Sequence, residues 1–314
     1  MKERERSVTD PSGRELGVYI WEPEQGTVRG IVQIAHGMSE HAGRYRRVAQ
    51  RLTEAGYAVY AADHLGHGRS KGRYWGDLGN GGFRRLADNA KQIADEADRE
   101  QSERGAGDRL PIFLIGHSMG SFVSQLATLL YPDRYQGLLL SAAGYKKGPL
   151  LALGERVARI ELALRREEGA PSRLLDRMTF GAYNRSFKPA RTPYDWLSSD
   201  AEQVDLYIAD EMCGSVMPAI FYREFLRGLR LLYSPRLWSQ LNRSLPVMIM
   251  AGAEDPMSSG GKEIAALERE YRMAGAADVK VKLYPGMRHE IFNERGRDGV
   301  LEDVVRTFEG WYDS

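Results

Sequence analysis

LPIFLIGHSMGSFVSQLATLLYP, residues 110–132, is an apolar run of strand length that meets Gly116-His117-Ser118-Met119-Gly120 and continues directly into an amphipathic helical pattern. The two glycines remove side chains where strand and helix must approach. Ser118 is left on a tight, strained turn with its hydroxyl exposed. The G-x-S-x-G spacing alone is a weak signal, because short glycine motifs recur by chance. The flanking strand and helix give it weight, and the stretch reads as a nucleophilic serine at a strand-to-helix turn.

Outward from this elbow, compact apolar runs at 16–21, 30–35, 57–62, 136–141, 245–251 and 279–284 have the length and composition of buried strands. The turn-rich EPEQGTVRG between the first two predicts an antiparallel hairpin at the start of the sheet. Helical patterns follow most later runs: 44–56 and 260–275 end on glycines suited to a helix terminus, 82–100 is long and amphipathic, and a last helix is expected near 299–312. Such alternation predicts an α/β fold with a largely parallel sheet. From 145 to 242 the rhythm stops. That stretch has helix-compatible segments, the loop FKPARTPYDWLSSD and large apolar residues such as Phe180, Trp196, Tyr207, Phe221 and Phe225, but no clear strand. It is expected to be a helical cap inserted between the runs at 136–141 and 245–251, dividing a core of residues 1–144 and 243–314.

A nucleophilic serine needs a base. Of the six histidines, His289 alone follows the last strand run, in VKVKLYPGMRHE, on a loop expected at the same sheet edge as Ser118. The acid that orients this imidazole should lie between the two in sequence. Asp255 fits best, just after the strand in LPVMIMAGAEDPMS; its neighbour Glu254 and the earlier Asp63 compete. The developing oxyanion needs two backbone N–H donors. Met119, after the nucleophile, and Met38, in HGMSEH after the run GIVQIA, are expected to supply them.

Bulk properties narrow the alternatives. Forty-four Lys plus Arg balance 43 Asp plus Glu, so net charge does not point to nucleic acid. Cys213 is the only cysteine, which excludes an intrachain disulfide and a multi-cysteine metal centre. There is no H-E-x-x-H, and His64 and His67 in DHLGHGRS read as structural loop residues, so no metal is expected. No phosphate-cradling glycine motif opens a helix, and no organic cofactor is expected. The charged N-terminus MKERERSVTDPSGRE does not read as a secretory signal, and no stretch reaches the roughly 18 to 20 apolar residues of a membrane span. A cytoplasmic protein is expected, with transient contact with lipid aggregates left open.

The set HGMSEHAGRY, DHLGHGRS, GHSMGS, AGAEDP and GMRHEIFNE, in that order, resembles the monoacylglycerol lipase and lysophospholipase branch of the α/β hydrolases. The resemblance covers about residues 15–144 and 243–312 and is poorest in the cap. It implies the α/β-hydrolase fold, a mostly parallel eight-stranded sheet with the helical cap inserted after the sixth strand, with Ser118, Asp255 and His289 as a catalytic triad, and Met38 and Met119 as oxyanion-hole donors. It also implies an ester substrate with one acyl chain on a small polar head, bound under a movable lipophilic cap. Lysophospholipase, general carboxylesterase, thioesterase, perhydrolase or aminopeptidase chemistry could run on the same triad, and a non-catalytic ligand-binding protein is the rival of another class. An aminopeptidase would want a buried acid in the cap, for which Glu155, Asp176, Asp205 and Asp210 are the candidates.

Overall fold

The computed structural model describes residues 1–104, 109–165 and 167–313. Eight strands form one sheet: β1 (Lys2–Thr9), β2 (Glu15–Glu22), β3 (Gly30–Ala35), β4 (Tyr57–Ala62), β5 (Ile112–His117), β6 (Gly137–Ser141), β7 (Val247–Gly252) and β8 (Val279–Tyr284), in the order β1-β2-β4-β3-β5-β6-β7-β8. From β4 onward across the sheet every pairing is parallel. The helices are α1 (Arg46–Glu54), α2 (Gly82–Glu103), α3 (Met119–Leu130), α4 (Pro149–Leu164), α5 (Arg173–Phe180), α6 (Ala201–Ala209), α7 (Ala219–Leu232), α8 (Pro235–Trp238), α9 (Lys262–Met273) and α10 (Arg297–Tyr312). None of them is long and apolar enough to cross a membrane.

The expected hairpin between β2 and β3 does not form. β2 pairs antiparallel with β1 on one side and with β4 on the other, so β4 separates it from β3. The pattern of KERERSVT hid the true partner, because β1 is an edge strand whose charged side chains face solvent or pair with neighbouring elements: Arg6 reaches Glu96 of α2 at 3.2 Å and Glu3 meets Arg46 of α1 at 2.8 Å. Edge strands carry such charges because an uncharged free edge invites pairing with another chain. β8, at the opposite edge, is likewise studded with Lys280 and Lys282.

The inner strands are buried on both faces, as their largely apolar runs require, and the one polar residue inside β3, the buried Gln33, donates to the Ala90 carbonyl at 2.9 Å. Along β5, Ile112 and Leu114 face the layer of α2 and α3, while Phe113 and Ile115 face Val304 and Phe308 of α10. Between β6 and β7 the described residues form helices and loops and no strand, with one isolated antiparallel bridge between Pro171 and Pro218. This segment is anchored through α7, where Phe225 meets Phe83 of α2 and Phe122 of α3 edge-on, at ring separations of 5.3 and 5.9 Å.

Candidate active site

The strand order sets the site. β3 and β5 are adjacent and parallel, with Ala35 opposite Gly116, yet β3 continues to β4 on one side and β5 to β6 on the other. At such a reversal the loops leaving the two strands diverge and open a crevice. Here the loop after β3 begins with His36-Gly37-Met38, and the turn after β5 is Ser118.

Ser118 is held at φ 51° and ψ −117°, a conformation that costs a non-glycine residue energy and is kept by its surroundings. Its N–H donates to the Ser141 carbonyl at 3.0 Å, and its own carbonyl accepts from the N–H and hydroxyl of Ser121 at 2.9 and 2.6 Å. The flanking glycines are required by space. A Cβ on Gly120 would lie 2.0 Å from the Ala35 carbonyl oxygen, and one on Gly116 2.5 Å from the Gly120 carbonyl oxygen.

His289 Nε2 lies 2.9 Å from Ser118 Oγ, and its Nδ1 lies 3.0 Å from Asp255 Oδ1. That carboxylate oxygen also accepts from the Met257 N–H at 2.9 Å, which fixes its rotation. Asp255 and His289 are both buried. Burial works most strongly against a charged imidazole, but the charge and hydrogen bond of Asp255, helped by Glu290 and Glu40, together hold His289 above its ordinary pKa. Neither competing acid reaches this position. Glu254 is exposed, and Asp63 is buried elsewhere, accepting from the Ala42 and Arg69 N–H groups at 2.7 and 2.8 Å.

Met119 is the first residue of α3, so its N–H belongs to the turn whose donors have no partner within the helix. Met38 lines the same cavity as Ser118 and His289. The loop carrying it rests on a cluster of imidazoles: the His36 ring lies tilted 4.2 Å from that of His64 and edge-on 5.4 Å from that of His67. Burial and mutual repulsion hold His36 well below its ordinary pKa, and burial brings His64 to about 3 and His67 to about 4. These rings are packing and hydrogen-bonding groups of the loop.

The cavity beside Ser118 has a volume of about 210 Å³. The segment between β6 and β7 supplies its outer wall through Asp176 and Phe180 of α5, Trp196 of the following loop and Tyr207 of α6. Trp196 stands 4.9 Å from the His289 ring, and the Tyr207 hydroxyl donates to the Ser39 carbonyl at 2.9 Å. Sequence reasoning missed the charged frame around these loops. Arg44 bridges Glu40 and Glu290, while Glu294 accepts from the Arg288 N–H at 2.8 Å and the Ser199 N–H at 2.9 Å. Arg44, Glu40, Glu290 and Glu294 all fall inside the motifs quoted above, but nothing in a linear sequence pairs residues 246 positions apart.

Comparison with known proteins agrees with this architecture. The family model described as serine aminopeptidase, S33, matches residues 26–296. A monoacylglycerol lipase of Mycolicibacterium smegmatis is 30% identical over 302 residues, covering 96% of this chain and 95% of the relative. A monoglyceride lipase of Rattus norvegicus is 25% identical over 307 residues, covering 97% and 88%. The crystal structure of a highly thermostable carboxyl esterase from Bacillus coagulans, in complex with glycerol, superposes with a TM-score of 0.88 at 27% identity, covering 99% of both chains. The chain therefore belongs to the serine aminopeptidase S33 family of α/β hydrolases, in its monoacylglycerol-lipase-like branch.

Proposed function

We propose that this protein is a carboxylic ester hydrolase of the monoacylglycerol lipase type, working through an acyl-enzyme on Ser118. The observation that carries the reading is the continuous relay from Ser118 Oγ through His289 to Asp255, with contacts of 2.9 and 3.0 Å. His289 takes the Ser118 proton as the oxygen attacks the ester carbonyl. It returns that proton to the leaving alcohol, then activates water to release the acid. Asp255 keeps the imidazole oriented and stabilises its charged form, while the N–H groups of Met38 and Met119 receive the oxyanion. The chemistry needs no metal or organic cofactor.

Residues 145–242 act as the cap over this centre. A volume of about 210 Å³ is below the roughly 300 Å³ at which drug-sized pockets begin, so a long acyl chain enters only as the cap moves. An apolar stripe on the outside supports contact with lipid aggregates: Leu150, Leu153, Ile160 and Leu164 share one face of α4, and Leu150 and Leu164 are 78% and 81% exposed. Ranking monoacylglycerols, lysophospholipids and short-chain esters by kcat/KM tests the assignment. A clear preference for monoacylglycerols is expected, and equal activity across the panel would reduce the protein to a general esterase.

A second reading rests on Asp176. Of the four cap acids weighed, Glu155 is bridged to Arg159 and Arg230, Asp205 to Arg191 and Asp210 to His41. Asp176 instead lines the cavity and has a tyrosine partner, accepting from the Tyr222 hydroxyl at 3.4 Å. Partial burial raises its pKa. A carboxylate so placed suits a substrate ammonium, as an aminopeptidase requires. It equally suits the hydroxyls of a glycerol head. Turnover of an aminoacyl anilide in preference to a monoacylglycerol would favour the peptidase.

A further inference from the structure

Away from the serine, a second group of chemically active side chains joins the loop after β3 to the segment after α6. His41 Nε2 lies 2.9 Å from Asp210 Oδ2, and with the Cys213 thiol these ligand atoms all lie within 4.8 Å of one another. Asp210 and Cys213 are three residues apart in a closed turn, in which the Cys213 N–H donates to the Asp210 carbonyl at 3.0 Å. The Met212 N–H takes the other carboxylate oxygen, Oδ1, at 2.8 Å, which leaves Oδ2 turned toward His41. Two ligands at this spacing on one tight turn, met by a third from a distant loop, is how zinc-binding knuckles are built.

We propose that His41, Asp210 and Cys213 form a binding site for a thiophilic divalent cation of the Zn²⁺ class, clamping the loop after β3 to the inserted helices. Zinc bonds of about 2.0 Å to nitrogen or oxygen and about 2.3 Å to sulfur put tetrahedral ligands roughly 3.3 to 3.5 Å apart, so His41 and Asp210 open slightly from 2.9 Å while the thiol, within 4.8 Å of both, closes toward them. A neutral imidazole, a carboxylate and a thiolate balance the charge of the ion. Binding releases the thiol proton and leaves the imidazole proton on Nδ1. The nearby Arg44 does not oppose this, because one guanidinium is matched there by the two carboxylates of Glu40 and Glu290. The Asp210 side chain is 31% exposed, giving the ion an entry path and a water its fourth position. Both joined segments border the substrate cavity: the Gly214 N–H donates to the Ser39 carbonyl at 2.9 Å, and the Ser39 hydroxyl to the Ser215 carbonyl at 2.8 Å. The sequence had suggested no such site, since one cysteine matches no zinc motif.

Because Cys213 is the only cysteine, any thiolate–metal signal reports this site. EDTA-treated full-length protein titrated with Cd²⁺ is expected to develop a thiolate-to-cadmium charge-transfer band in the ultraviolet. The band should saturate at one equivalent and be competed away by Zn²⁺. In C213S it is lost, and in D210N and H41N the titration moves to higher cadmium concentration. Zn²⁺ should raise Tm of the wild type and leave that of C213S unchanged, and comparing metal-free Tm values establishes that each variant is folded. S118A should bind Cd²⁺ as the wild type does, which separates this result from any outcome on hydrolysis. Absence of the band in the wild type, or titrations of D210N and H41N that match it, would overturn the proposal, the latter by assigning the signal to the thiol alone.

Discussion

The guanidinium of Arg44 grips Glu290, the residue next to His289, through Nη1–Oε1 and Nη2–Oε2 contacts of 2.8 and 2.7 Å. Arg44 stands just before α1 and Glu290 just after β8, so the pair ties the histidine loop to the loop that leaves β3. The Arg44 charge brings the buried Glu290 carboxyl down to about 2 despite its burial. A bidentate pair of this kind also fixes orientation, which a single lysine contact would not.

Replacing Arg44 by Met strands two buried carboxylates. Breaking a buried pair from one side typically costs about 3 to 5 kcal/mol, so a marked fall in the urea midpoint is expected for Arg44→Met. Glu290→Gln leaves a neutral hydrogen-bonding partner and should lose less. In both, kcat should fall more than KM changes, because the His289 loop loosens. Wild-type stability in Arg44→Met would show that the clamp contributes nothing.

Asp255→Asn should keep the fold and reverse the hydrogen-bond preference at His289 Nδ1, favouring the wrong tautomer. Losses on the order of 10⁴-fold in kcat are known for this exchange in other triads. Ser118→Ala should abolish both turnover of p-nitrophenyl esters and labelling by a fluorophosphonate. Labelling at the wild-type rate in either variant would remove the residue from the proposed relay.

His289 must be neutral to accept the serine proton. With its pKa raised by Asp255, the acidic limb of kcat/KM should have its midpoint above 6.5, the ordinary histidine value. Stability should run the other way. A group whose pKa is raised by folding contributes fully below its unfolded value and loses that contribution as pH climbs through the folded value. The stability advantage of wild type over His289→Gln should therefore shrink across the interval in which activity rises. Urea titrations at several pH values test this, and a constant difference would contradict it.

Changing Leu150 and Ile160 to Glu places charges on the exposed stripe of α4 without touching the site. Activity on emulsified long-chain substrate should drop several-fold. Turnover of a soluble short-chain ester should stay within about two-fold, the scale of ordinary surface substitutions. Equal losses on both substrates would argue that the stripe serves the cap itself.

Periodicity and local sterics carried much of this architecture. The apolar runs mark the inner strands because a strand buried on both faces has few polar side chains to show, Gln33 being the exception in the middle of β3. The glycines around Ser118 mark the elbow because a Cβ there would collide with backbone. Chain order and loop position singled out Asp255 and His289, and the structure brings both to Ser118. Strand neighbours were another matter. β2 pairs with β1 and β4 because a short turn makes a hairpin available without making it favourable, and burial of the whole sheet decides which pairing survives. Tertiary structure alone also joined Arg44 to Glu290, His41 to Asp210 and Trp196 to His289. Those contacts depend on the relative placement of loops far apart in the chain, and side-chain pairing across such distances leaves no periodic trace in a sequence.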